Sequence, residues 1–182
     1  MENTLDPREM VGHHPSYWSS GGQDDPDVPE SLTYWLHSRL FLVDEIRIRP
    51  YQVYFYYSQP IFSSKMVRFQ IGRSKLPYSS AEVNNQSVIA DENYVWTYTS
   101  PEFPMAQENV LQSFKLPHPV LCIDGVVRIE LLGRTHKAID DLYYICICHV
   151  QVIGRSLSPV FMVHISESAG YTILKCLPGA RK

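Results

Sequence analysis

No window of this 182-residue chain holds an apolar period of 3.6 residues through three turns, whereas period-two alternation recurs between proline and glycine breaks. Thirteen prolines and nine glycines supply the punctuation. Residues 31–37 set Leu32, Tyr34 and Leu36 on one side and Thr33, Trp35 and His37 on the other. Residues 41–53 form a β-branched run in which Ile46 and Ile48 should face inward while Arg47 and Arg49 face water. Residues 66–72 repeat the scheme with Val67, Phe69 and Ile71. Further strands are predicted over 94–99, 112–116, 126–132 and 143–153, and the last is apolar on both faces, as a central strand is. Residues 106–110 offer one helical turn at most. The predicted class is all-β, a sandwich or barrel of short strands.

Three segments stand apart from this pattern. Residues 1–16 and 166–182 are read as an N-terminal segment and a C-terminal tail with weak patterning, flanking a domain over 17–165. Residues 74–93, rich in serine and asparagine, are read as a long polar loop between two strands. Neither an internal repeat nor a low-complexity tract interrupts the chain.

Composition narrows the function. At 45% hydrophobic residues, one domain of this size can bury roughly 70% of its unfolded surface without a metal or disulfide staple. The formal net charge is −3, which argues against a broad basic face for nucleic acid. There is no run of about 18 apolar residues to cross a membrane, and the first residues lack the basic and apolar regions of a secretory signal. The expected location is cytoplasmic or nuclear.

Motifs for chemistry are sparse. Cys146 and Cys148 fall on one face of a strand beside His149; a metal pair is the sharp reading, two small buried hydrophobes the stronger one, since no second pair stands at zinc spacing. His13-His14 reads as solvated, and Asp140-Asp141 as a polar turn. Asp24, Asp25 and Asp27 would suit calcium, but polar turn residues explain them better. Asn85-Gln86-Ser87 matters as a glycosylation sequon only in a secreted chain. No Gly-x-Ser-x-Gly, Gly-x-Gly-x-x-Gly or phosphate loop occurs. The expectation is a non-enzyme without a cofactor or metal.

The remaining signal lies near the start. Tyr17-Trp18-Ser19-Ser20-Gly21-Gly22-Gln23, leading into the alternating strand at 31–36, resembles the opening of galactose-binding-like jelly rolls, among them discoidin-type domains and carbohydrate-binding modules. Longer stretches sharpen the match: Phe41 to Tyr51, Trp96 to Asn109, Ile129 to Arg134 and His149 to Arg155 resemble the C-terminal domain of a small family of plant F-box proteins. The resemblance runs from about Asn3 to His164. It implies a galactose-binding-like jelly-roll β-sandwich, and leaves open whether the first strand is included and whether Met1 is the true start.

F-box proteins are substrate receptors of SCF-type ubiquitin ligases. The F-box docks on the adaptor and the C-terminal domain recruits the target. This chain carries no F-box, so adaptor binding is expected only of a longer form. The implied function is recognition of a protein or glycan through the end loops, with Tyr17, Trp18, Ser19, Ser20 and Gln23 as candidate ligand-binding residues. An exposed aromatic beside small polar groups suits stacking on a sugar or anchoring a peptide, whereas Trp18 as a plug of the core is the favoured plain reading. A stand-alone lectin-like module, binding a glycan or peptide without any ligase, is the alternative, and a structural remnant is a third reading.

Overall fold

The computed structural model describes residues 4–5, 10–11, 14–36, 38, 40–75, 93–158, 160–166 and 171–177. These residues form thirteen strands and no α-helix. The first three are short: β1 (Met10–Val11), β2 (His14–Pro15) and β3 (Trp18–Ser19). Then come β4 (Glu30–Trp35), β5 (Leu40–Pro50), β6 (Ser64–Ser74), β7 (Tyr94–Thr99), β8 (Phe103–Pro104), β9 (Gln112–Ile123), β10 (Val126–Arg134) and β11 (Cys146–Ser156). β12 (Phe161–Ser166) and β13 (Tyr171–Cys176) close the chain.

Two antiparallel sheets carry the fold. One runs β4-β10-β6-β7 with β8 paired to β6, and the other runs β3-β11-β5-β9. Period two makes each strand two-faced, and the apolar faces meet. From the first sheet come Leu32, Val67, Phe69, Ile71, Val127, Ile129 and Leu131; from the second come Val43, Ile46, Ile48, Ile147, Val150 and Phe114. The expected all-β jelly-roll sandwich stands, with Ile46 and Ile48 inward as the alternation requires.

Bulges adjust this alternation. In β5 the register shifts between Val43 and Glu45, which lets Val43 and Ile46 both face the core. In β11 the pairing with β5 skips Cys148. Ile147 and Val150 therefore reach the main core, while Cys146 and Cys148 belong to a second apolar cluster.

Two expectations need correction. The strand read as 112–116 continues to Ile123 despite Pro117 and Pro119. β9 is an edge strand, where a proline's missing N–H breaks no ladder, and it leaves the β5 register between Lys115 and Val120. The tail read over 166–182 holds β13, which pairs with β12 as a separate two-stranded ribbon. The N-terminal segment is tied to the domain, because buried Thr4 bonds the Tyr34 hydroxyl (2.8 Å) and its carbonyl accepts from His149 Nδ1 (2.9 Å). Most of the polar loop at 74–93, sequon included, and His13 and His37 lie outside the described residues. At the base of that loop, Lys75 N donates to Asn93 O at 2.8 Å.

Candidate functional site

Two connections fold against the outer side of β11. The β5–β6 connection, residues 51–63, is held by its backbone: Tyr51 N donates to Cys146 O, Cys146 N to Phe62 O, and Val53 N to Pro60 O, at 2.7–3.0 Å. Tyr51, Val53 and Phe62 are thereby buried over Cys146 and Cys148. The free thiols sit in this apolar cluster, and burial pushes the Cys146 thiol up, away from thiolate chemistry. That placement suits the reading of both as small core hydrophobes.

The β10–β11 connection, residues 135–145, is a tight hairpin. Ala138 N donates to Leu142 O, Asp140 Oδ1 caps the turn through Leu142 N, and Asp141 takes a left-handed φ of 65°, which aspartate tolerates. Thr135 Oγ1 donates to Ser63 O at 3.0 Å, so the two connections form one wall.

Between them opens a cleft of about 160 Å³. Tyr17, Tyr56, Phe62 and Tyr144 line it, with Cys146 and Ser19 also on its wall and Phe55, Ile139 and Asp140 contributing from the two connections. The rings support one another: Tyr17 stacks on Tyr51 at 4.1 Å between centroids, and Tyr56 meets Phe62 edge-on at 5.7 Å. Burial pushes the Tyr51 phenol up to about 12. The Tyr144 hydroxyl donates to Asp140 Oδ2 at 2.6 Å, which holds the Asp140 carboxyl below its ordinary value and Tyr144 above. Phe55 and Ile139 are 67% and 93% exposed, far more than a side chain serving only the core.

The residues expected from the sequence divide here. Tyr17 and Ser19 line the cleft. Trp18 pairs with Ile147 and packs against the main core, the plain reading of that side chain. Ser20 is buried and serves a polar staple. Its Oγ donates to Gly21 O and accepts from Ile145 N (3.0 Å) and Arg134 Nη1 (2.8 Å). Arg134 is 1% exposed and also donates to Gly21 O, Tyr143 O and Val28 O, with Glu30 as its counter-charge at 3.4 Å. Gln23 contributes its backbone, exchanging hydrogen bonds with Tyr143. Gly22 lies so close to this hairpin that a Cβ there would fall 2.7 Å from Leu142 and from the Tyr144 hydroxyl.

Sequence reading missed Phe55, Tyr56, Phe62, Ile139, Asp140 and Tyr144. The available signal was the aromatic density of Tyr51, Tyr54, Phe55, Tyr56 and Tyr57, too great for one strand end. In the acidic turn, Asp25 Oδ1 accepts from Asp27 N at 2.9 Å, an Asx turn; among the described residues no group of three acidic, histidine or cysteine side chains is placed to hold a metal. No helix of the described residues is long and apolar enough to cross a membrane.

No family model matches the chain. Among solved structures, it is similar to the family 32 carbohydrate-binding module of C. perfringens NanJ in complex with galactose, at a TM-score of 0.48 and 13% identity over 82% of this chain and 85% of that one. A chitosan-binding module from a Paenibacillus chitosanase/glucanase gives a TM-score of 0.48 and 12% identity over 83% and 86%. Among curated proteins, it is 49% identical to F-box protein At4g00755 of Arabidopsis thaliana, over 96% of this chain and 48% of that protein. The chain thus spans about half the length of the plant F-box protein it resembles along nearly all of its own.

Proposed function

We propose that this domain is a non-catalytic recognition module, the target-binding part of an F-box substrate receptor of an SCF-type ubiquitin ligase. The observation that carries this reading is the aromatic cleft with Phe55 and Ile139 held out to solvent on a rigid double-sheet frame. Binding sites favour such loops because the sheets fix their bases while the tips stay free to present side chains. Exposed aromatic and aliphatic anchors around a partly enclosed hollow suit capture of a polypeptide segment. The likeness to half of a plant F-box protein supports the receptor role, with adaptor docking left to a form that carries the F-box.

A peptide-display library panned on the immobilised full chain tests the site. Retained clones should lose about tenfold or more in affinity on Phe55→Ala and on Ile139→Ser. Neither variant should disturb the fold, since both side chains are exposed. Clones that bind both variants as well as wild type would move the site elsewhere. A second reading, a glycan-binding module, is favoured by the ring faces of the cleft, which suit stacking on a sugar. Glycan-array binding lost in Phe55→Ala, with no peptide selected, would establish that reading instead.

A further inference from the structure

The cleft combines ring faces with a single kind of charge. Tyr17, Tyr56, Phe62 and Tyr144 supply the rings, and Asp140 is the charged residue among those described as lining it. The Asp140 carboxylate accepts from the Tyr144 hydroxyl at 2.6 Å and from Leu142 N at 3.2 Å. A carboxylate has about four acceptor positions, so it retains capacity for a further donor. No lysine or arginine lines the cleft among the described residues. Lys137, on the same hairpin, is engaged by Asp141 at 2.9 Å and lies over the Tyr143 ring at 5.3 Å.

The neighbouring edge adds to the imbalance. Gln23 is bonded to Tyr143 and leads directly into Asp24, Asp25 and Asp27. Asp24 is near enough to help raise the Lys137 pKa. A carboxylate on the wall of a partly enclosed hollow draws cations toward it. Electron-rich ring faces hold a cation once it arrives. The chain uses this same chemistry elsewhere on a cation of its own: the Arg128 guanidinium lies 4.4 Å from the Trp96 ring centroid and 5.5 Å from that of Tyr94.

We propose that the cleft selects its polypeptide ligand through a cationic side chain, a lysine ammonium or an arginine guanidinium set against the rings with Asp140 as its counter-charge. This rests on the cleft being the recognition site. A sugar hydroxyl can donate to Asp140 but leaves its charge unmatched, and an acidic segment would be repelled.

The experiment is an amide-resolved NMR titration of the full chain with four probes: Nα-acetyl-arginine amide, its neutral isostere Nα-acetyl-citrulline amide, Nα-acetyl-lysine amide and galactose. The arginine and lysine probes should shift the amides of Phe55, Tyr56, Ile139, Asp140 and Tyr144. The arginine probe should bind about fivefold or more tightly than citrulline. Asp140→Asn, which can keep the turn through its side-chain carbonyl, should erase that preference while amides away from the cleft stay in place. Equal binding of arginine and citrulline at these amides would overturn the charge selection and leave the cleft as the recognition site. Galactose shifting them while both cationic probes do not would overturn the proposal in favour of a glycan. Shifts confined to other surfaces would overturn both the proposal and the site.

Discussion

On the outer face of the five-stranded sheet, Tyr94 and Trp96 stack with centroids 4.9 Å apart, and Arg128 from β10 lies over both rings while Nε donates to Thr33 Oγ1 at 3.4 Å. Against the four-stranded sheet, Tyr17, Tyr56, Phe62 and Tyr144 line a cleft whose charge is a carboxylate. Both clusters are aromatic, the first built on strands β7 and β10 and the second on strand ends and connections. In the first the cation is a buried residue of the same chain, so the rings are committed to the fold. In the second Phe55 and Ile139 project into solvent, and nothing described in the chain completes the charge pattern. Aromatic density by itself therefore does not separate the two clusters; the cleft is the incomplete one, and that is the ground for proposing it as the site.

The sharpest way to break this contrast is through the frame beneath the cleft. Arg134→Ala removes the guanidinium that ties Ser20, Gly21, Val28 and Tyr143 together, leaving buried acceptors unsatisfied. Stability should fall by about 3–5 kcal/mol in chemical denaturation, the usual consequence of removing one partner from a buried polar network. A loss under 1 kcal/mol would mean that the β10–β11 hairpin holds its place without the staple.

Next in size is the closed cluster itself. Arg128→Gln keeps much of the stem but not the charge, and should cost about 2 kcal/mol. A near-UV circular dichroism change from Trp96 should accompany the loss. An unchanged melting temperature would show that the ring pair stands without its cation.

The smallest effect concerns the cleft floor. Cys122, Cys146 and Cys148 are buried and Cys176 is exposed. Burial pushes the Cys122 thiol up to about 12 and raises Cys146 as well. Under native conditions iodoacetamide should label Cys176 about tenfold or more faster than the other three, as followed by peptide mass spectrometry. Rapid labelling of Cys146 would reveal that the cleft opens down to β11, and a selected peptide should then protect it.

The division between what could be read early and late follows from locality. Residues 46, 48, 67, 69, 71, 127 and 129 alternate with polar neighbours, and alternation is a property of adjacent positions. It fixed the all-β class and the inward side of most strands from the sequence. Proline also acts locally, and it misled at Pro117 and Pro119 because edge position depends on which strand lies on the other side. Strand β13 was missed for a related reason: it pairs with β12 in a two-stranded ribbon and most of its described side chains are exposed, so no buried face imposes an alternation.

The recognition residues proposed near the start were local as well, and the tertiary structure divided them. Tyr17 and Ser19 went to the cleft wall, Trp18 to the core, and Ser20 and Gln23 to the bonds that hold the hairpin. The sequence by itself determined most of the longer sandwich strands and their apolar faces, and the absence of familiar catalytic motifs. Only the tertiary structure decided that residues 51–63 and 135–145, more than seventy positions apart, share one wall. It also decided that an aspartate in an ordinary polar turn faces a ring-lined hollow. Contacts of that span are set by how the two sheets stack and where bulges such as that at Cys148 reset the strand, and no pattern of neighbouring residues encodes them.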